Sequence, residues 1–336
     1  MDHHFIICVR DVKKDGTFGN EPGGAMYLRV PNGETPTGGH AVPKDNPDDP
    51  KEVIPNKWLK LVMSLATTSP HSPDYRPTGD LLVFIHGFNT DLPLLVQRHR
   101  QLRKDLKRFS FQDSVVSFAW PSAGNPLAYL EDRDDAKQTA LHLVKGCILP
   151  LSHQQQMGCR INVHLLAHST GAYIIREAFD DADDNPEIAS ANWMISQALL
   201  IGADVSSNSL SANNSSSGSL YRHCIRLTNY WSPFDWPLSL SGVKRAGAAN
   251  RAGRIGLPPD TPLNAVDINC GEYWNLHGRK RAGILGDKTH SWYLGDPVFV
   301  EDMVETMRGT VDRHYIRTRR VENGKLVLIK PRADRT

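Results

Sequence analysis

Residues 81–85 read Leu-Leu-Val-Phe-Ile, apolar at every position. A strand with one face in water alternates polar and apolar residues, so an unbroken apolar run belongs to a strand covered on both faces. A helical pattern follows. Leu92, Leu95, Val96, His99, Leu102, Leu106 and Phe109 recur at helical spacing, with Arg and Lys between them. The alternation then repeats. DSVVSFAWPSAG reads as a buried strand ending in a turn, LAYLEDRDDAKQTALHLVKGCIL as a helix, RINVHLLAHS as a strand and TGAYIIREAF as a helix. WMISQALLIGADVS, RHCIRLTNYWS and NAVDIN read as further strands, and PVFVEDMVETMRG as a helix. Buried strands alternating with helices call for an α/β fold, a mostly parallel central sheet with helices on both faces.

The flanks follow other patterns. HFIICVRD and GGAMYLRVP read as two strands with a Gly-rich link, residues 32–55 as a long surface loop, and PNKWLKLVMSLATTS as a helix with Pro55 near its start. HYIRTRRVENGKLVLIKP reads as a hairpin turning at Asn323-Gly324. Two segments interrupt the regular pattern. SSNSLSANNSSSGS, residues 206–219, reads as a flexible loop, and residues 242–262, with their repeated Arg-Ala-Gly, as an irregular insertion. The 336 residues suit one large domain. Its expected parts are the N-terminal strands, loop and helix (1–79), a core (80–310) and a C-terminal hairpin (311–336).

Composition removes several function classes. The net charge is +2 and the basic residues are scattered, so no field for nucleic acid or an anionic membrane is expected. The one basic cluster, RGTVDRHYIRTRR, reads as a solvated strand face. The five cysteines are odd in number and none are spaced C-x-x-C, which argues against a zinc site and a disulfide scaffold. The N-terminus is not a signal peptide, and no apolar run reaches the ~18 residues of a membrane span. A cytoplasmic protein is expected. Secretion without a signal peptide is compatible with the same sequence.

The sharpest local signal is Ala167-His168-Ser169-Thr170-Gly171, where a buried strand becomes a helix. A nucleophilic serine at the top of a parallel sheet needs a tight, strained turn, with small residues two positions before and after it. Ala167 and Gly171 meet that need, although glycine is the usual residue at the first position. The N–H of Thr170 opens the helix, where unpaired N–H groups stabilise negative charge. A second oxyanion donor is expected from LLVFIHGFNTD. There Gly87 permits close backbone approach, the N–H of Phe88 is the donor, and the Asn89 side chain braces the loop. The plainer alternatives are that Ser169 caps a helix and that His-Gly-Phe-Asn only ends a strand.

A serine needs a base, and the base needs a carboxylate to fix its tautomer. In this fold the chain order is serine, acid, histidine. Asp235, just past a strand in YWSPFDWPLSLS, is the preferred acid, with Asp204 the competitor and Asp267 confined within a strand. His290 in GDKTHSWYLGD is the preferred base, with His277 the rival. His168 adjoins the serine but points elsewhere in such a turn, as a structural residue or pocket wall.

Together LLVFIHGFNTD, VVSFAWPSAG, VHLLAHSTGAYIIREAF, YWSPFDWPLSLS and THSWYL resemble, in this order, a long uncharacterised bacterial family of α/β-hydrolases near the esterase and lipase superfamily. The resemblance runs from about Asp80 to Met307. It implies a Ser169, Asp235, His290 triad that works without a metal or organic cofactor.

The expected chemistry is two-step acyl transfer, hydrolysing a small-molecule or lipid ester. Trp120, Trp231, Phe234, Trp236 and Trp292 adjoin the site residues in sequence and are expected to line an apolar substrate pocket. A lipase with a lid, an acyltransferase and a non-catalytic scaffold that binds a ligand or partner are the competing readings. The oligomeric state is left open.

Overall fold

The computed structural model describes residues 3–67, 78–111, 114–122, 129–151, 160–243, 250–309 and 316–331. The strands are β1 (His3–Val12), β2 (Phe18–Pro31), β3 (Thr78–Ile85), β4 (Val115–Ala119), β5 (Arg160–His168), β6 (Ile195–Ile201), β7 (Cys224–Trp231), β8 (Ala265–Asn269), β9 (Arg319–Glu322) and β10 (Lys325–Leu328). They form a single sheet in the order β2-β1-β4-β3-β5-β6-β7-β8-β10-β9. Every pairing from β1 across to β10 is parallel, and only the outer strands β2 and β9 run antiparallel to their neighbours.

The apolar run that motivated this architecture is buried at all five positions, none more than 1% exposed. Its alternate residues serve two cores, as the two-residue period of a strand requires. Leu81, Val83 and Ile85 pack on one face with the helices α1 (Asn56–Ala66), α3 (Tyr129–Leu143) and α4 (Gly171–Asp183). Leu82 and Phe84 pack on the other with α2 (Leu92–Arg108) and a later helix, Pro297–Met307. This is the α/β-hydrolase class of fold, with helices on both faces of a mostly parallel sheet.

Register sets where the loops emerge. Ile85 lies beside Ala167, His168 beside Ile201, and Ile201 beside Tyr230. The carboxyl ends of β3, β5, β6 and β7 therefore finish level, and ligands bind at that edge in parallel sheets. The N-terminal strands extend the sheet past β4. The C-terminal hairpin turns at Asn323 and Gly324, with φ of 48° and 75°, the pair of left-handed residues such a two-residue turn demands.

Two readings of the sequence need correction. The Ser-rich segment is not a loose loop. It holds a 3-10 turn, Ser207–Leu210, and a helix, Ser215–Arg222, and Ser207, Ser217 and Ser219 are at most 2% exposed. Serine is small enough to pack there and satisfies its hydroxyl on nearby carbonyls: Ser207 on Gly256 O (2.8 Å), Ser219 on Phe179 O (2.5 Å) and Ser217 on Ser209 O. The C-terminal basic stretch is not wholly solvated either. Arg319 is buried against Asp302, with its Nε 2.8 Å from Asp302 Oδ2. Tyr230 Oη (2.7 Å) and Thr318 Oγ1 (2.7 Å) also donate to that carboxylate. Removing one member of a buried ion pair strands the other charge. Asp302→Ala should cost roughly 3–5 kcal/mol in urea unfolding; a loss under about 1 kcal/mol would show that the network does not hold the C-terminal hairpin to the sheet.

Candidate active site

Between β5 and α4 the chain turns at Ser169 with φ of 57°, a left-handed conformation that costs a non-glycine residue energy. The surroundings hold it there. Its N–H donates to Ile201 O (3.1 Å), and its carbonyl accepts from Asp204 N (3.0 Å) and Ala172 N (3.1 Å). Gly171 cannot be enlarged, since a Cβ would lie 2.5 Å from Ile85 O. Ala167, the departure from glycine, is fully buried beside Ile85, so its methyl group is accommodated. The helix that follows has no side-chain cap at its start, so Ser169 is not serving as a helix cap.

His290 and Asp235 meet at this edge. Asp235 Oδ2 is 2.7 Å from His290 Nδ1, and both residues are buried. The carboxylate accepts the Nδ1 proton, leaving Nε2 as the basic nitrogen. Asp235 is itself oriented by the N–H of Leu238, which donates to Oδ1 (3.1 Å) as the chain enters the helix Trp236–Val243. Gly202, at the end of β6, adopts φ of 52°, and a Cβ on it would come within 3.0 Å of His290 Nδ1 and 3.2 Å of Asp235 Oδ2. The two side chains occupy the space this glycine leaves. The competing acids lie elsewhere. Asp204 faces the same pocket but pairs with Arg251 Nε (3.1 Å), and Asp267 accepts from Asn229 Nδ2 (2.8 Å). His277 ends a short helix against the ring of Tyr273. His168 is a buried pocket wall whose Nε2 donates to His290 O (3.2 Å). Burial, and then the neighbouring His290, hold its pKa well below the usual imidazole value, so it stays neutral.

The loop after β3 faces the serine. A Cβ on Gly87 would lie 2.6 Å from Ser169 Cβ, so glycine is what allows the two turns to approach. His86 beneath it stacks on Trp120 (5.3 Å, 12°), whose Nε1 donates to His86 O (2.9 Å). Arg10 of β1 donates to Thr90 O (2.9 Å). Asn89 supports the loop differently from the expected side-chain brace. Its φ is 53°, a conformation asparagine tolerates better than most residues, and its side chain is exposed.

These turns enclose a cavity of about 370 Å³. Phe88 and Asn89, His168, Ser169 and His290, and Pro237, Leu238 and Leu240 are among the residues that line it. The five aromatics expected to line it do not. Trp120 is the strut under His86, and Trp292 is buried in the core, stacked on Tyr293. Trp231 is buried beside Gly256, Phe234 stacks on Trp274, and Trp236 is 61% exposed. Adjacency in sequence to a site residue does not fix the direction of a side chain on a strand or turn.

Two arginines escaped the sequence reading. Arg98 and Arg251 are both buried, one lining the cavity and the other held against Asp204. Arg98 had a signal: it falls three residues after Leu95 and four before Leu102, on the apolar stripe of its helix. Arg251 lies in an irregular insertion with no periodicity to read.

A family model described as an alpha/beta hydrolase of unknown function (DUF900) matches residues 71–290. The chain belongs to this family. None of the curated protein sequences matches this alpha/beta hydrolase significantly. Among solved structures it is similar to phospholipase PlaB from Legionella pneumophila in complex with thio-NAD, at 16% identity, over 56% of this chain and 37% of that one, with a TM-score of 0.27. It thus spans little more than a third of that protein. It is also similar to Aspergillus fumigatus lipase B (14%, 82% and 63%, TM-score 0.32) and to a metagenomic carboxyl esterase (13%, 70% and 77%, TM-score 0.29). At these scores the likenesses carry no argument about activity.

The titration of His290 follows from the geometry. Burial pulls the imidazole down, but the charge and hydrogen bond of Asp235 outweigh it, and the pKa ends above its ordinary value. The neutral ring is therefore present above that raised pKa and is lost as pH falls through it. NMR titration should place His290 above the ordinary value of about 6.5. In Asp235→Asn, with burial and the Arg98 charge opposed only by the charge of Asp204, it should fall below that value. An unchanged pKa in the variant would mean that the two side chains are not coupled.

Proposed function

We propose that this alpha/beta hydrolase is a serine hydrolase that cleaves carboxylic esters through an acyl-enzyme. The observation that carries the reading is the strained Ser169 turn opening into the same cavity as the buried His290–Asp235 pair. His290 Nε2 takes the proton of Ser169 Oγ as the hydroxyl attacks the ester carbonyl. The tetrahedral intermediate places its negative oxygen toward the N–H groups of Phe88 and Thr170. Asp235 keeps Nδ1 protonated and stabilises the imidazolium. His290 returns the proton to the departing alcohol. Water, deprotonated by His290, then attacks the acyl-enzyme and releases the acid.

The close approach of Gly87 to Ser169 supports the N–H of Phe88, the next residue, as the second donor. Thr170 opens α4, so its N–H adds the positive end of a helix dipole. The cavity size suits small or medium acyl and aryl esters, with Phe88, Leu94, Leu238 and Leu240 providing apolar contact.

Hydrolysis of p-nitrophenyl esters of increasing acyl length, by the native protein and Ser169→Ala, tests the reading. Turnover should drop by a factor on the order of 10⁶ in the variant, and a fluorophosphonate probe should label the native protein alone. Asp235→Asn should lose about 10⁴-fold, and Asp204→Asn far less. Equal turnover in native protein and Ser169→Ala would remove Ser169 as the nucleophile.

A further inference from the structure

We propose that the pocket selects esters bearing a singly charged anionic group, a carboxylate, and that Arg98 is the residue that binds it. The proposal deepens the ester-hydrolase reading and rests on it.

Arg98 is only 4% exposed, yet lines the cavity with Ser169 and His290. Its Nη1 donates to Thr90 Oγ1 (3.1 Å), and its Nη2 to Leu285 O (3.1 Å) and Ser291 Oγ (3.4 Å). All three acceptors are neutral. Its Nε has no partner, and among the described residues no carboxylate forms an ion pair with it. A buried guanidinium without a counter-charge is costly to keep. Burial pulls its pKa down to about 10, opposed by the Asp91 charge at the start of the same helix.

The acids around it are engaged elsewhere. Asp204 pairs with Arg251, and Asp235 with His290. Asp287 lines the cavity, but its Oδ1 accepts from Thr289 N (2.7 Å), Thr289 Oγ1 (2.5 Å) and His290 N (3.2 Å). Asp91 accepts from Leu94 N (2.8 Å) as the helix cap. The two histidines nearby, His86 and His168, are held neutral by burial. Among the described residues, one positive charge in the wall is thus left without an ion-pair partner, in a cavity whose lining mixes Phe88, Leu94, Leu238 and Leu240 with polar side chains. Nη1 donates once and keeps a second N–H for a charge-assisted bond to a carboxylate oxygen, and the three neutral contacts hold the guanidinium in place before a ligand arrives. A doubly charged group would fit less well, because Asp204 and Asp287 share the wall.

Arg98 also ties the loop of Thr90 to that of Ser291, so its loss can slow every substrate equally. Selectivity is therefore read as a ratio. Mono-p-nitrophenyl glutarate is compared with p-nitrophenyl pentanoate, which places a methyl where the other has a carboxylate. On the alcohol side, m-carboxyphenyl pentanoate is compared with phenyl pentanoate. The native protein should favour the anionic member of one pair by roughly tenfold or more in kcat/KM, less so at high salt. Arg98→Gln should abolish the preference and Arg98→Lys should retain part of it. Equal or neutral-favouring ratios in both pairs overturn the proposal, as does a preference that survives Arg98→Gln. If that variant does not fold, the native ratios and the lysine variant decide.

A readout without turnover separates the two readings. Glutarate, but not glutaramide, should raise the melting temperature of Ser169→Ala, and Arg98→Gln in that background should remove the shift. Anion binding without esterase activity would remove the hydrolase reading and keep the site. Esterase activity dependent on Ser169, with no anion preference and no glutarate shift, would do the reverse.

Discussion

The left-handed turn at Ser169 is the constraint on which the site depends. A serine does not hold φ of 57° unaided, and here both neighbouring strands secure it. The end of β6 accepts its N–H through Ile201, and the chain beyond β6 returns a bond to its carbonyl through Asp204. On the other side, the end of β3 leaves Gly171 room for a hydrogen and nothing larger. Only parallel pairing places the carboxyl ends of three adjacent strands side by side at one edge, so the fold and the turn are one requirement.

Close approach recurs around it. Gly87 lets the β3 loop touch Ser169, and Gly202 clears space for the His290–Asp235 pair. Neither glycine touches a substrate in the proposed reaction, yet each sets a distance between side chains that the proposal uses. Support also comes from far along the chain. Arg10, in the first strand, holds Thr90, and Trp120, just past β4, holds His86, so two strands on the same side of β3 fix the loop above it. A preorganised donor costs no rearrangement during reaction, which is the physical value of such struts.

Much of this was legible because it is local. The buried run at residues 81–85, the small residues around Ser169 and the Asn-Gly turn each announce a backbone conformation through a few adjacent residues. Asp235 was preferred to Asp204 on chain order, and in the structure His290 contacts Asp235 while Asp204 pairs with Arg251. What failed depended on direction in space. Five aromatics beside site residues point into cores, toward other rings or into solvent. The Ser-rich segment read as a flexible loop by composition, because its hydroxyls find carbonyls only once the chain is folded. Arg98 went unremarked among the Arg and Lys between the apolar residues, although its spacing put it on their stripe.

The insertion after Asp235 is moored at both ends. At one, Leu238 N–H binds the Asp235 carboxylate. At the other, Gly253 lies so near β6 that a Cβ would fall 2.1 Å from Ala203 N, while Arg251 pairs with Asp204. Lengthening a segment between fixed ends costs little, because closure entropy grows only with the logarithm of its length. The residues between these moorings can therefore drift in length and composition over evolution, reshaping the cavity lining beside Pro237 and Leu240, while the acid that orients His290 stays where it is. The fold separates the part of the pocket free to diversify from the part that cannot move.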